Sequence, residues 1–380
     1  MLVNRLPLVQ KATVLTLLGL LAGIIWSWPL WYAAARPSVP LLPVLGAAHT
    51  TAAGWSFLSA GLLLSMLAAA LLFPAKKIAL GALLMGLATL CCLDLNRLQP
   101  WVWCYGLVLG IALFNQSITD TRNALRWLLA AVYFWSGFHK LTPYFAEDNF
   151  AWFCSAFSWT ESLARFSGLG YAVALLEMSL AFGLLWPRTR AVFRWLALGF
   201  HGVIILLLSP WGLHWNIVVI PWNITLAGLV WLTYAQPDVT TLPRNNALRL
   251  LLTLAGVAPV LHCCGAWPEA WSWKLYSNTQ PEATFYAPAG SFNNTIMQDI
   301  WAKNAFDHGQ KLLLDDWANA ELQVPMFSAT RTFRQTASYL CGCTTQPDSA
   351  GLYILTVQPW NRSGERWQKI PSQNLLNKHE

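Results

Sequence analysis

The chain has 380 residues, of which 56% are hydrophobic and 11% are charged, and its mean hydropathy is +0.43. Soluble domains carry about 25% charged residues, so this composition excludes an ordinary soluble enzyme and indicates a membrane protein with several spans. The net charge of +7 does not indicate a nucleic-acid-binding protein, because the basic residues lie in short loops between apolar runs.

The N-terminal segment has the charge pattern of a signal peptide, because the basic stretch from Met1 to Lys11 precedes the apolar run from Leu15 to Trp31. This run is long for a signal core, and only the alanines at 33–35 offer a weak cleavage site. We therefore expect an uncleaved first membrane span.

Nine apolar runs follow one another along residues 1–265. A helix needs about 20 apolar residues to cross a bilayer, and 23 tryptophans are available for interfacial belts. The runs lie near 12–34, 50–73, 77–95, 100–116, 123–141, 168–186, 191–209, 213–234 and 247–265. They predict an all-α integral membrane protein with a polytopic bundle of about nine transmembrane helices.

The loop at residues 142–167 has an aromatic, amphipathic middle. The aromatic residues are Phe150, Trp152, Phe153, Phe157 and Trp159. This pattern is typical of an interfacial helix on the membrane, and a helix packed over the mouth of the bundle is an equal alternative.

The placement of lysine and arginine predicts the orientation of the bundle. With the N-terminus inside, inner segments carry eleven such residues: Arg5, Lys11, Lys76, Lys77, Arg122, Arg126, Arg188, Arg190, Arg194, Arg244 and Arg249. Outer segments before residue 266 carry four: Arg36, Arg97, Lys140 and Arg165. We therefore expect a bacterial inner (plasma) membrane protein with a cytoplasmic N-terminus and an extracytoplasmic domain at 266–380.

In this orientation all eight cysteines fall at or near the extracytoplasmic side. An oxidising compartment favours disulfides, and adjacent cysteines are too close to bridge each other without strain. We expect a bridge from the end of the ninth span, at Cys263 or Cys264, to Cys341 or Cys343. Redox-active thiols are the alternative.

Residues 266–380 predict a small C-terminal cap domain on the outer side of the bundle, with helices and two cysteines. We expect a helix over about 292–321, a second helix from Ala329 to Leu340, and a strand from Leu352 to Val357 whose partner the sequence does not identify. Asp315 and Asp316 are consecutive, so we expect them to be solvated.

Ionisable and amide side chains interrupt several of the apolar runs, where they are costly and often functional. Lys140 follows the stretch from Leu128 to Phe138, which has no ionisable side chain, and Glu177 and His201 lie within later spans. A snorkelling membrane anchor is the alternative explanation for Lys140. Further polar or aromatic candidates are Trp135, His139, Asn216 and Asn223, and the asparagines, seven residues apart, predict one helix face.

Three of these stretches resemble one known family. They are Tyr133-Phe134-x-x-Gly137-x-x-Lys140-Leu141, then Leu175-Leu176-Glu177-x-Ser179-x-x-Phe182-x-Leu184-Leu185, then Phe200-His201. Residues 10 to 265 are similar to the vitamin-K-dependent γ-glutamyl carboxylase and to its wider group, the HTTM superfamily (horizontally transferred transmembrane helices). In that family the lysine matching Lys140 deprotonates a reduced naphthoquinone.

The resemblance implies a quinone-linked membrane enzyme that acts at the outer face. Lys140 would be the base and Glu177 and His201 its supporting groups, with Trp135, His139, Asn216 and Asn223 around a membrane hydroquinone. A lysine accepts a proton only when it is neutral, and desolvation in an apolar site favours that form. The histidine that the family has ahead of the tyrosine of the fourth span would fall near Trp101, where this chain has none, and the last third does not resemble the carboxylase's lumenal domain. Glutamate carboxylation is therefore not implied.

Two other functions remain open. A non-catalytic maturation or partner subunit would bind a secreted peptide or redox protein through the cap, and a DoxX- or MauE-like redox subunit lies between the two classes. The cysteine spacings match no zinc motif, so we expect no metal. Expected partners are the lipid bilayer and a secreted peptide or protein, and no nucleic acid.

Overall fold

A computed structural model describes residues 7–36, 38–50, 53–292, 295–306 and 309–376. The chain divides into two compact units. The first contains the chain up to Ile25, Leu63–Leu87 and Gln99–Asn278, and the second contains Trp26–Leu62, Ala88–Leu98 and the chain from Thr279 onward.

A helix of ten or more residues occurs within or largely overlaps each of the nine apolar runs. These helices are α1 (Leu8–Trp26), α2 (Ala53–Leu72), α3 (Lys77–Leu93), α4 (Pro100–Leu113), α5 (Ile118–His139), α6 (Ser167–Leu185), α7 (Arg190–Leu208), α8 (Val219–Thr233) and α9 (Asn246–Gly256). A 3₁₀ segment at Ala258–Cys264 extends α9. The protein is therefore mostly helical.

Within the described residues, five helical segments are long and apolar enough to cross a membrane: Leu8–Trp26, Gly54–Leu72, Ser167–Leu185, Arg190–Leu208 and Asn246–Cys264. The helices α3, α4 and α8 are apolar but shorter. Large apolar side chains are exposed along these helices, among them Phe57, Ile78, Phe182 and Val203. Such surfaces suit hydrocarbon better than water, so the helices are compatible with an integral membrane protein.

The helix α5 lies at the centre of the first unit, where it packs against α4, α6, α8 and α9. Gly137 brings its backbone against α6, because a Cβ at this position would overlap Met178 N and come within 2.7 Å of Ala174 O. Any larger residue would separate the two helices at the level of Lys140 and Glu177.

Two arginines that the sequence places in inner loops are buried within the first unit. Arg126 is fully buried and donates to Thr233 O at 2.9 Å and Asp238 Oδ1 at 2.8 Å. Arg190 donates to Leu184 O at 2.9 Å. These side chains satisfy carbonyl groups at the C-terminal ends of α6 and α8, which have no partner within the helix.

The segment after α5 is helical and belongs to the wall of the first unit. A π-helical turn spans Tyr144–Asn149 and a short α-helix spans Phe150–Cys154. Phe145 and Phe150 are buried, whereas Trp159 is 72% exposed. The segment packs against α6, which favours the alternative in which it lies on the helix bundle.

The second unit contains a five-stranded sheet, so the all-α prediction is wrong for this part. The strands are β1 (Glu282–Tyr286), β2 (Ala305–Phe306), β3 (Lys311–Leu313), β4 (Gly351–Gln358) and β5 (Asn361–Pro371). Their order is β2-β3-β1-β4-β5, and every pair is antiparallel. The strand expected from Leu352 to Val357 is confirmed as β4, and its partners are β1 and β5.

The helix expected over 292–321 is wrong as a single element. It is divided into α10 (Thr295–Asn304) and α11 (Leu314–Leu322), because β2 and β3 intervene and pair with each other. The second expected helix is confirmed as α12 (Thr330–Cys343). Asp315 and Asp316 begin α11 and are partly buried, so the expectation of full solvation is wrong.

The eight cysteines are all free, and no two of them lie at disulfide distance among the described residues. Cys104 and Cys341 are buried, whereas Cys263 and Cys264 are exposed. The structure therefore does not support the expected bridge from Cys263 or Cys264 to Cys341 or Cys343.

Candidate functional site

A cavity of about 300 Å³ lies within the first unit. Its walls are formed by α5, α6, α7, α8, the segment after α5, and Leu275–Tyr276. Most of its lining side chains are apolar or aromatic, including Phe145, Phe153, Phe200 and Trp222. Cavities of about 300–1,000 Å³ with apolar walls and a few polar groups are typical small-molecule sites.

A lysine and a carboxylate form an ion pair in this cavity. Lys140 Nζ lies 2.7 Å from Glu177 Oε2 and 2.7 Å from Ser136 Oγ. The side chains of Lys140 and Glu177 are only 8% and 7% exposed. Lys140 Nζ also lies 5.9 Å from the centre of the Phe145 ring. The amine of Lys140 therefore contacts the polar groups of Glu177 and Ser136 and also lies near the ring of Phe145.

A second row of polar groups crosses the same cavity. Tyr133 Oη lies 2.6 Å from His201 Nε2, and His201 Nδ1 lies 2.7 Å from Asn223 Oδ1. Asn223 Nδ2 donates to Val219 O at 2.8 Å, so the amide oxygen is the atom that faces the histidine. The hydrogen bonds then fix the tautomer: Nδ1 carries the proton and donates to Asn223, and Nε2 accepts from the Tyr133 hydroxyl.

The local sequence explains why α5 supplies three of these groups. Tyr133, Ser136 and Lys140 are spaced three and four residues apart, so they lie on one helix face. Lys140 is the C-terminal capping residue of α5, directly after His139, and Pro143 precedes the turn at Tyr144–Asn149. The face of α5 and the close contact at Gly137 together set the lysine opposite Glu177.

The structure brings together four of the seven predicted site residues. Lys140, Glu177, His201 and Asn223 all line the cavity. They are buried, with exposures of 3% to 6%.

Trp135 and His139 lie on another side of α5. Trp135 Nε1 donates to Gly256 O at 2.9 Å, and the His139 ring lies 5.7 Å from Trp135 and 5.6 Å from His262 between ring centres. Neither residue lines the cavity described above.

Asn216 also lies outside the lining, although it is near. It precedes α8 and has a φ of 47°, so the helical spacing to Asn223 does not apply to it. Its Nδ2 donates to Tyr276 Oη at 3.3 Å, and Tyr276 does line the cavity. Asn216 therefore touches the site through one tyrosine.

Tyr133, Ser136 and Tyr276 line the cavity but were not predicted as site residues. For Tyr133 and Ser136 a signal was available, because both share the helical face of Lys140. Tyr276 follows the last apolar run by eleven residues and has a φ of 51°, and no periodic pattern would have placed it there.

A second lysine–glutamate pair, with a buried lysine and a partly buried glutamate, lies outside the cavity. Lys274 Nζ is 3.1 Å from Glu269 Oε1, and His262 Nε2 is 3.8 Å from the same oxygen. Burial raises the pKa of the Glu269 carboxyl, although the nearby Lys274 opposes this shift. No group of three or more metal-binding side chains is found in the described part of the chain.

Comparison of the chain with protein-family models, with curated proteins and with solved structures finds no match. The cavity offers an amine–carboxylate pair and a tyrosine–histidine–asparagine row to an apolar ligand with polar ends.

Proposed function

We propose that this protein is a quinone-linked membrane enzyme, similar to the vitamin-K-dependent carboxylase bundle of the HTTM superfamily, in which Lys140 is the base. The observation that carries the proposal is the Lys140–Glu177 pair, 2.7 Å apart, in an apolar cavity of about 300 Å³. Ionisable groups in such surroundings are costly to maintain without a function.

The lining residues fit a hydroquinone. The aromatic walls suit a flat ring and an isoprenoid tail, because both are apolar. Lys140 and the row formed by Tyr133, His201 and Asn223 can contact polar groups on the ring. When bound, a hydroquinone supplies an acidic hydroxyl group. Lys140 would first pass an ammonium proton to the Glu177 carboxylate, which lies 2.7 Å away. Its amine would then accept the proton of that hydroxyl, and the Ser136 hydroxyl would accept a hydrogen bond from the ammonium ion that forms.

A partner subunit for a secreted peptide or redox protein is the second candidate function. It is favoured by the exposure of Trp360 and Trp367, at 59% and 62%, beside and within β5. Exposed tryptophans are common at protein interfaces. A DoxX- or MauE-like redox subunit would use the same cavity without base catalysis.

The variant Lys140→Arg separates these functions. Arginine keeps the charge and can still pair with Glu177, but it does not release a proton and so cannot act as a base. We expect Lys140→Arg to lose the phenotype that the wild-type gene restores in a deletion strain, at normal protein abundance. Lys274→Arg is the matched control, because Lys274 is also a buried lysine paired with a glutamate, lies outside the cavity and should tolerate the change. Full function of Lys140→Arg would exclude the base mechanism and favour the partner subunit.

We also propose nine spans, with the N-terminus in the cytoplasm of a bacterium and the chain from residue 266 outside the inner membrane. The eleven-to-four distribution of lysine and arginine supports this orientation. Reporter fusions after Lys76, Arg190 and Glu380 test it. We expect cytoplasmic signals at the first two and an extracytoplasmic signal at Glu380, and a cytoplasmic signal at Glu380 would contradict the orientation.

A further inference from the structure

A second apolar groove, of about 540 Å³, lies on another side of α5 in the first unit. It is bounded by α5, α6 and α9. Trp127, Phe134, Trp135 and Phe182 form its aromatic wall, and Ala130, Ala131 and Gly256 keep its floor open. None of these residues lines the cavity at Lys140, so the groove is a separate site.

The groove opens beside helices that are apolar enough to cross a membrane. Phe182 in the last turn of α6 and Val257, which directly follows α9, are 59% and 61% exposed. Both helices belong to candidate spans. The mouth of the groove is therefore surrounded by apolar surface, and the adjoining medium in a bilayer is hydrocarbon.

Two polar side chains, Arg249 and Thr253, line the groove. The Thr253 hydroxyl donates to Arg249 O at 3.0 Å, so it is already satisfied. Arg249 Nε donates to Pro243 O at 2.7 Å. This hydrogen bond fixes the guanidinium group and does not use its two terminal nitrogens.

The positive charge of Arg249 has no ion-pair partner among the described residues. Asp120, in the first turn of α5, accepts from Arg244 N at 3.2 Å. Arg249 is exposed and lies in the first turn of α9, which begins at Asn246. The N-terminal end of a helix carries a partial positive charge, so this end of the groove favours an anion.

We infer that the groove binds one anionic phospholipid, with an acyl chain between α5, α6 and α9 and its phosphate at Arg249. The apolar and aromatic walls of the groove suit an acyl chain, and the one charged side chain of its lining, Arg249, is complementary to a phosphate. Basic sites between membrane helices bind anionic lipid headgroups in this way. The inference does not depend on the reaction at Lys140.

Native mass spectrometry of the full chain, titrated with phosphatidylglycerol or phosphatidylcholine of identical acyl chains, tests the inference. We expect phosphatidylglycerol to bind more tightly than phosphatidylcholine. Arg249→Gln should weaken phosphatidylglycerol binding about fivefold and remove the difference between the lipids. Arg249→Lys should keep most of the preference, because the charge remains.

Two further variants complete the test. Thr253→Trp fills the groove without changing charge, so it should weaken binding of both lipids. Arg244→Gln removes a neighbouring exposed charge that does not line the groove, and it should leave the preference intact. Equal binding of both lipids to the wild type, or equal losses from Arg244→Gln and Arg249→Gln, would overturn the proposed site.

Discussion

The Lys140–Glu177 pair makes a quantitative prediction about stability. Both side chains are more than 90% buried, and their charged atoms are 2.7 Å apart. Removing one member of a buried pair leaves the other charge without a counterion, which costs about 3–5 kcal/mol. The contact with Glu177 therefore predicts a substantial loss of stability for Lys140→Met and for Glu177→Leu.

The double variant Lys140→Met/Glu177→Leu should recover most of that loss. Replacing both members of a buried pair by apolar residues of similar volume is often neutral or stabilising. The two single losses should therefore fail to add, with a coupling of about 0.5–3 kcal/mol or more.

Thermal unfolding of the purified protein in one detergent, at fixed protein concentration, measures the four members of this cycle. A loss of 3–5 kcal/mol lowers the Tm by roughly 6–20 °C on the scale of soluble proteins of 150–250 residues. Single losses that simply add in the double variant would refute the ion pair. Single variants with unchanged Tm would show that Lys140 is exposed, as the anchor interpretation requires.

Two further predictions concern the second unit. Burial raises the pKa of the Asp315 carboxyl from 3.8 to about 7, so the folded state holds a proton that the unfolded state releases, and stability should fall as pH rises from about 4 to about 7. Asp315→Asn should flatten that part of the pH dependence of the Tm, and an unchanged slope would contradict this. The Glu321 carboxylate accepts from Ser38 N, Ser38 Oγ, Val39 N and Trp317 Nε1 at 2.6–3.0 Å. Glu321→Ala should speed amide hydrogen exchange at Ser38 and Val39, because each unpaired buried donor costs about 1–3 kcal/mol, and unchanged exchange would exclude this role.

The helices of the first unit were predictable because their signal is local. Each apolar run contains or largely overlaps one helix, and the ends at Pro100 and near Pro143 follow from the missing amide hydrogen of proline. The sheet of the second unit was only partly predictable. Leu352 to Val357 reads as a strand, but its partners lie at Glu282–Tyr286 and Asn361–Pro371, and β5 is too polar to show an apolar alternation.

The site residues that could be predicted are the ionisable and amide side chains that interrupt apolar runs. Lys140, Glu177, His201 and Asn223 stand out as polar groups in apolar runs, and the structure places them in one cavity. The direction in which each side chain points depends on the rotation of its helix about the helix axis. The composition does not specify that rotation. His139 therefore lies away from the cavity although it adjoins Lys140 in sequence.

The central claim is that a quinone-class ligand binds beside Lys140, and photoaffinity labelling tests it most directly. A photoreactive naphthoquinone analogue would be reduced, bound to the purified protein in lipid nanodiscs, activated by light and located by peptide mass spectrometry. We predict labelling in the peptides that contain Ser136, Phe153 and Phe200, all of which line the cavity, and loss of the label with excess unmodified hydroquinone. Labelling spread over the lipid-facing helices, unaffected by that competitor, would contradict the claim.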